Sequence, residues 1–282
     1  MNRSIFRELY YKVVRSGNPL FLFIGINVVV FLAINLLAAG EFLTGGTDTA
    51  ADWLELHLSV PGYYKQLPFK FWTIITYMFT QRDFFHLLFN MLWLYWLGLI
   101  FLDFLNKRQF IFVYLAGGIM GALLYLLAFN LLPVFSGTAE RSILLGASAS
   151  VMAVVVATAT LVPDFTIRLL FLGNVKLKYL ALAYFVLDII GISSEPGGSI
   201  AHIGGAISGF LYIRLLNRGT DLSTLFKRRS KLKVVKNKGA SSGQGPLPDQ
   251  EAIDKILDKI SQSGYESLTK LEKEQLFKAS KK

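Results

Sequence analysis

Cysteine is absent from the 282-residue chain, which excludes disulfides and thiolate chemistry and leaves the redox compartment open. Charge is scarce: 17% of the residues are Asp, Glu, Lys or Arg, against about 25% in a typical soluble domain. Histidine is scarcer, at three residues. The H-E-x-x-H helix of a zinc protease is missing. A pair of intramembrane acids is missing too, because Asp188 has no evident mate of the kind an aspartyl enzyme needs. Neither a zinc protease nor an intramembrane aspartyl enzyme is therefore expected.

Apolar length is what the chain has instead. Hydrophobic residues make up 53%, and they come in blocks of the size that crosses a bilayer, about 20 residues each. Six such segments stand out, at about 18–40, 85–102, 109–132, 142–162, 179–194 and 197–216. The first follows Arg3, Arg7, Lys12 and Arg15. Its apolar run is longer than the 7–15 residues of a cleaved signal, so it reads as a retained helix. Lys and Arg then recur in the loop with Lys107 and Arg108, in the loop with Arg168, Lys176 and Lys178, and from Arg214 onward. The intervening loops carry mainly acids, among them Glu41, Asp48, Asp52, Glu55 and Glu195. Under the positive-inside rule this alternation fits six helices with both termini cytoplasmic, and a bacterial inner membrane is the expected location. The net charge of +10 thus points to the lipid bilayer and not to a nucleic acid as partner.

The fold class is accordingly all-α. A basic N-terminus at 1–17 precedes a six-helix membrane domain at 18–217. A linker at 218–248, basic and then flexible, leads to a small helical hairpin at 249–282. In the hairpin, Ile253, Ile256, Leu257 and Ile260 keep helical spacing, Gly264 suits a stop, and Thr269 with Glu272 makes a capping-box pattern. So short a hairpin buries little alone and is expected to dock on a cytoplasmic partner. The long loop 41–84 holds Trp53, Tyr63, Tyr64, Phe69, Phe71 and Trp72, rings that favour the headgroup level.

Unsatisfied polar groups in hydrocarbon cost several kcal/mol, so polar residues inside spans need partners or a wet cavity. His86 and Asn90 stand four apart in "HLLFN" and share a helix face. His202, in "AHIGGAISG", shares its face with Gly205, Ala206 and Gly209, which allow close helix approach. Ser148, in "GASAS", is flanked by Gly146, Ala147 and Ala149. Each taken singly is compatible with helix-packing glue. Together they place four polar groups of three helices at one depth. There His202 can take the Ser148 proton, while His86, Asn90 and the Ser148 N–H stabilise an oxyanion. Asp188 is expected late in the fifth span, close to the outer interface, where an acid is easily solvated; a third, orienting role beside the dyad is the lesser reading.

"HLLFN", "GASAS" and "AHIGGAISG", in this order within six helices, resemble the rhomboid intramembrane serine proteases over about residues 18–217. The resemblance implies a Ser148–His202 dyad with His86 and Asn90 on the oxyanion side. It also implies a water-filled cavity opening outward and single-span membrane proteins as substrates, cleaved without cofactor or metal, with the fifth helix and a loop gating their access. Ala149 stands where the family usually has glycine, and Met152 where many members have an aromatic ring. The principal rival is an inactive rhomboid-like protein that binds membrane clients. A transporter would need broken helices or an internal repeat, and the two three-span halves show no obvious similarity.

Overall fold

Six apolar helices form the body of the computed structural model, which describes residues 5–47, 49–169, 173–225 and 250–280. They are α1 (Pro19–Leu43), α2 (Phe84–Phe104), α3 (Lys107–Leu131), α4 (Ser148–Leu161), α5 (Leu177–Ile190) and α6 (Pro196–Asn217). Each long helix begins at a recognisable signal. Pro19 occupies the first turn of α1, with the Asn18 side chain accepting from the Leu20 N–H. Asp83 caps α2 by accepting from the His86 N–H at 2.7 Å. Asn106 and Gln109 form a reciprocal capping box on α3.

The helices differ in reach. α1, α2, α3 and α6 are long and apolar enough to cross a membrane. α4 and α5 have 14 residues each, about 21 Å at 1.5 Å per residue, less than the roughly 30 Å hydrocarbon core. The expected span at 142–162 is corrected on this point. Its first residues are extended, and Ile143–Leu144 pairs antiparallel with Val60–Pro61. Gly146 follows at φ +121, a backbone that side-chain-bearing residues avoid, and only then does α4 start. Non-helical backbone at membrane depth is tolerated where protein surrounds it. Here the Gly146 N–H donates to the Tyr77 carbonyl at 3.0 Å.

α4 is the centre of the bundle. Eleven of its residues are buried, on all sides, as a helix without a polar face requires. α6 packs against both α3 and α4, and small residues set the spacing. A methyl group at Gly205 would overlap the Ala149 carbonyl, and one at Gly209 the Ala153 carbonyl. On α3, a β-carbon at Gly121 would stand 2.7 Å from the Ala149 methyl. α5 is peripheral and buries only Leu177 and Ala181. A hairpin of Thr166–Leu169 with Gly173–Lys176 leads into it from α4, and Asp164 takes Lys176 and Lys178 at 2.9 Å each. Those exposed cations hold the Asp164 carboxyl below its usual range.

The aromatic loop is folded rather than merely laid on a surface. Thr49–Leu58 is helical. Tyr77 is buried and its hydroxyl donates to the Gly118 carbonyl at 2.5 Å, while Trp53, Phe69 and Phe71 stay exposed. Past α6 the chain is fastened for longer than the expected linker boundary at 218 allows. Asp221 accepts from Tyr212 Oη at 3.0 Å and from Arg108 and Gln109 at 3.1 and 3.2 Å, tying the end of α6 to the start of α3. Residues 226–248 of that linker lie outside the described residues.

The chain divides after residue 227. In the second unit, α7 (Gln250–Ser263) ends at Gly264, φ +77, and α8 (Lys270–Ser280) follows. The Thr269 N–H donates to Glu272 Oε2 at 2.7 Å and the Glu272 N–H returns to Thr269 Oγ1 at 3.4 Å, the expected capping box. Lys259 reaches Glu272 across the hairpin at 2.9 Å.

Candidate active site

Ser148 is the first residue of α4, preceded by Ala147, which offers no capping side chain. The first N–H groups of any helix lack intrahelical acceptors and carry the positive end of its dipole. The serine hydroxyl therefore sits among backbone donors inside the bundle. Gly146 keeps the approach open. A β-carbon there would stand 3.2 Å from the His86 ring and 3.6 Å from Ser148 Oγ, so the imidazole of α2 and the hydroxyl of α4 border the same small space.

That space belongs to a cavity of ≈ 380 Å³ whose walls include His86, Ser142, Ser148, Glu195, Gly198 and His202. A larger apolar cleft, ≈ 870 Å³, lies between α2 and the start of the Thr166–Leu169 hairpin and is lined by Trp93, Trp96 and Phe165 among others. It offers no histidine or acid beside a hydroxyl, so chemistry selects the smaller cavity over volume. The structure thus brings Ser148, His202 and His86 together from three helices.

His202 is held from behind. Its Nδ1 donates to Asp188 Oδ1 at 2.6 Å, which leaves Nε2 as the nitrogen with a lone pair. Nε2 is buried and has no hydrogen-bond partner, so it is not bonded to Ser148 Oγ in this structure. Such bonds are often long in unliganded enzymes and tighten with substrate. Asp188 is therefore not the solvated interfacial acid that the sequence suggested. Its side chain is 11% exposed and it meets the histidine of the next helix.

Asn90 stands elsewhere. It is buried, is not part of the cavity wall, and its Nδ2 donates to Gln81 Oε1 at 2.9 Å. Gln81 in turn donates to Asn27 Oδ1 at 2.7 Å, so these amides tie α1, the folded loop and α2. One turn of helix separates His86 from Asn90, and the partner set, not the shared face, decides where each side chain goes. Gln81 was not visible as a structural residue in the sequence, because its role depends on partners 54 and 9 positions away.

Residues 68–219, more than half of the chain, match the rhomboid domain family. The chain belongs to the rhomboid family. The matched stretch covers α2 to α6 and so contains Ser148, His202, His86, Asn90 and Asp188, while α1 lies before it. With four helices able to cross a membrane, this rhomboid is an integral membrane protein. Residues 247–282 match a second family, whose function is unknown, and its limits coincide with the α7–α8 hairpin. No curated protein matches the chain.

The departures from the family pattern have a place in the rhomboid bundle. The Ala149 methyl faces Gly121 of α3, and Ala149 is not part of the cavity wall. Met152 is fully buried.

Proposed function

We propose that this rhomboid is an intramembrane serine endopeptidase that cleaves transmembrane segments of single-span membrane proteins. The observation that carries the reading is the unpartnered His202 Nε2, on a ring that lines the same cavity as Ser148. A base with a free lone pair beside a hydroxyl is what activation of a serine requires.

Ser148 Oγ attacks the scissile carbonyl carbon as its proton passes to His202 Nε2. The oxyanion is met by backbone N–H groups at the head of α4 and by the His86 ring. Held in advance, each such donor is worth about 3 kcal/mol in the transition state. The Nε2 proton then goes to the departing amine nitrogen and the C–N bond breaks. Water, deprotonated by the same nitrogen, hydrolyses the acyl-enzyme. Asn90 supports the site indirectly through the amide network. Substrate approaches between α2 and α5, which meet at the stacked Trp93 and Tyr184 rings, 4.9 Å apart. No cofactor or metal takes part. The basic ends of the chain fit a cytoplasmic setting for both termini in a bacterial inner membrane. The α7–α8 hairpin is then free to engage a cytoplasmic partner.

The test is labelling of the purified full-length protein by a fluorophosphonate probe. Wild type is expected to label, and Ser148→Ala and His202→Ala are expected not to. Folded wild type that stays unlabelled beside an active serine protease would overturn this reading in favour of an inactive rhomboid that binds membrane clients.

A further inference from the structure

Proton transfer by a Ser–His dyad uses one nitrogen of His202, yet the other nitrogen is also engaged. The Nδ1–Asp188 Oδ1 bond is 2.6 Å long, and the two side chains are 14% and 11% exposed. Asp188 Oδ2 is buried without a hydrogen-bond partner, and among the described residues no Lys or Arg pairs with this carboxylate. A buried charge lacking a counter-ion is unfavourable. The Ser199 hydroxyl lies 3.0 Å from the Asp188 carbonyl and 3.4 Å from Oδ1, but it is a neutral donor and not a counter-ion. The charge finds its counterpart at one moment, when Nε2 takes the Ser148 proton and the ring becomes cationic.

We propose that Asp188 is a positioning residue that completes a Ser148–His202–Asp188 arrangement. It fixes the imidazole with its proton on Nδ1, aims Nε2 at the serine, and balances the imidazolium that forms as Oγ attacks. The carboxylate itself takes no proton: the serine proton resides on Nε2 and leaves with the amine. An interaction that strengthens only as charge develops acts on the rate of the chemical step and not on binding. The proposal rests on Ser148 being a nucleophile.

The experiment measures kinact and KI for fluorophosphonate labelling of the full-length protein, together with its thermal midpoint. Asp188→Asn is expected to lower kinact about 100-fold or more with KI and the midpoint little changed. Asp188→Glu, which keeps the charge, is expected to label faster than Asp188→Asn. Ser199→Ala, which removes the bond to the Asp188 carbonyl and the longer contact to Oδ1 but leaves the Oδ1–Nδ1 bond in place, is expected to keep most of the wild-type rate. Wild-type labelling by Asp188→Asn overturns the proposal. So do equal rates for the Asn and Glu variants in folded protein. Equal slowing by Asp188→Asn and Ser199→Ala with a lowered midpoint makes Asp188 a helix clip instead. Failure of wild type to label is a different result, because it removes the nucleophile itself.

Discussion

Gly205 tests how the His202 helix is seated. One turn after His202, it faces the backbone of α4, and a methyl group there would overlap both the carbonyl oxygen and the carbonyl carbon of Ala149. The obstacle is backbone, so no rotamer change relieves it and α6 itself must shift. Ordinary contact begins near 3.4 Å. The required movement is on the order of 1 Å, and misplacing a catalytic group by that much costs about 100-fold in rate. Overpacking of this kind also destabilises by roughly 1–3 kcal/mol. Gly205→Ala is therefore expected to lower the thermal midpoint in detergent and to slow fluorophosphonate labelling about 100-fold. Gly40→Ala is the control. It has nothing within 4 Å of the added carbon and gains up to about 1 kcal/mol of helix propensity. A Gly205→Ala protein with the wild-type midpoint and labelling rate would refute the claim that backbone contact between α4 and α6 sets the Ser148–His202 geometry.

Ala149→Gly is expected to bring no gain in labelling, because the methyl faces α3 and not the cavity, and to lower the midpoint through a loss of about 1 kcal/mol in helix propensity. Faster labelling of Ala149→Gly would place that methyl in the proposed oxyanion pocket. Burial alone would raise the Asp221 carboxyl, but bonds from Ser223 and Tyr212 and the Arg108 charge outweigh it and bring the group below its ordinary range. The depressed group stabilises above its unfolded value of about 3.9, and that support fades as pH falls through the lower folded value. Asp221→Asn is expected to cost about 2 kcal/mol at pH 7 and to flatten the acid side of a midpoint-versus-pH curve. A curve as steep as wild type would contradict this. The Thr269 N–H, with Lys259, holds Glu272 at about 2, so its cap on α8 persists above about pH 4.3 and is lost as pH falls toward 2. Hydrogen exchange on the intact protein should show faster amides at the start of α8 in Glu272→Ala at pH 7, and unchanged protection there would discount the cap.

Much of the bundle was legible because its signals are local. Six apolar blocks, the cap before α8 and the glycine face of α6 are each written in a few adjacent residues. The unwound stretch before Ser148 was not. Ile143, Leu144 and Leu145 are as apolar as a span, and their extended form depends on pairing with Val60 and Pro61, more than 80 positions earlier. Asp188 was misplaced for a related reason. The fifth segment was read as running to 194, whereas the helix ends at Ile190 and a turn at Gly191–Ser193 returns the chain into α6. A helix apolar on nearly every face also carries no pattern that reveals its rotation, so composition could not tell which neighbour an acid on α5 meets. The amides failed in the same way, since Asn90 was placed by helix face when Gln81, outside any helix, holds it.

The late start of α4 links these observations. A helix that began at residue 142 would carry Ser148 in its second turn, with the backbone N–H bonded inside the helix and unable to meet an oxyanion. Beginning at Ser148 instead puts the hydroxyl and free N–H donors at the same point. The arrangement survives at membrane depth only because protein wraps the irregular backbone before it: the Val60–Pro61 strand, the Tyr77 carbonyl on the Gly146 N–H, and the His86 ring against the Gly146 α-carbon. Two of these three supports come from loop 41–84. Its exposed rings suit the headgroup level, but its buried part builds the wall against which Ser148 is presented. Loosening that loop should therefore disturb Ser148 before it disturbs the bundle.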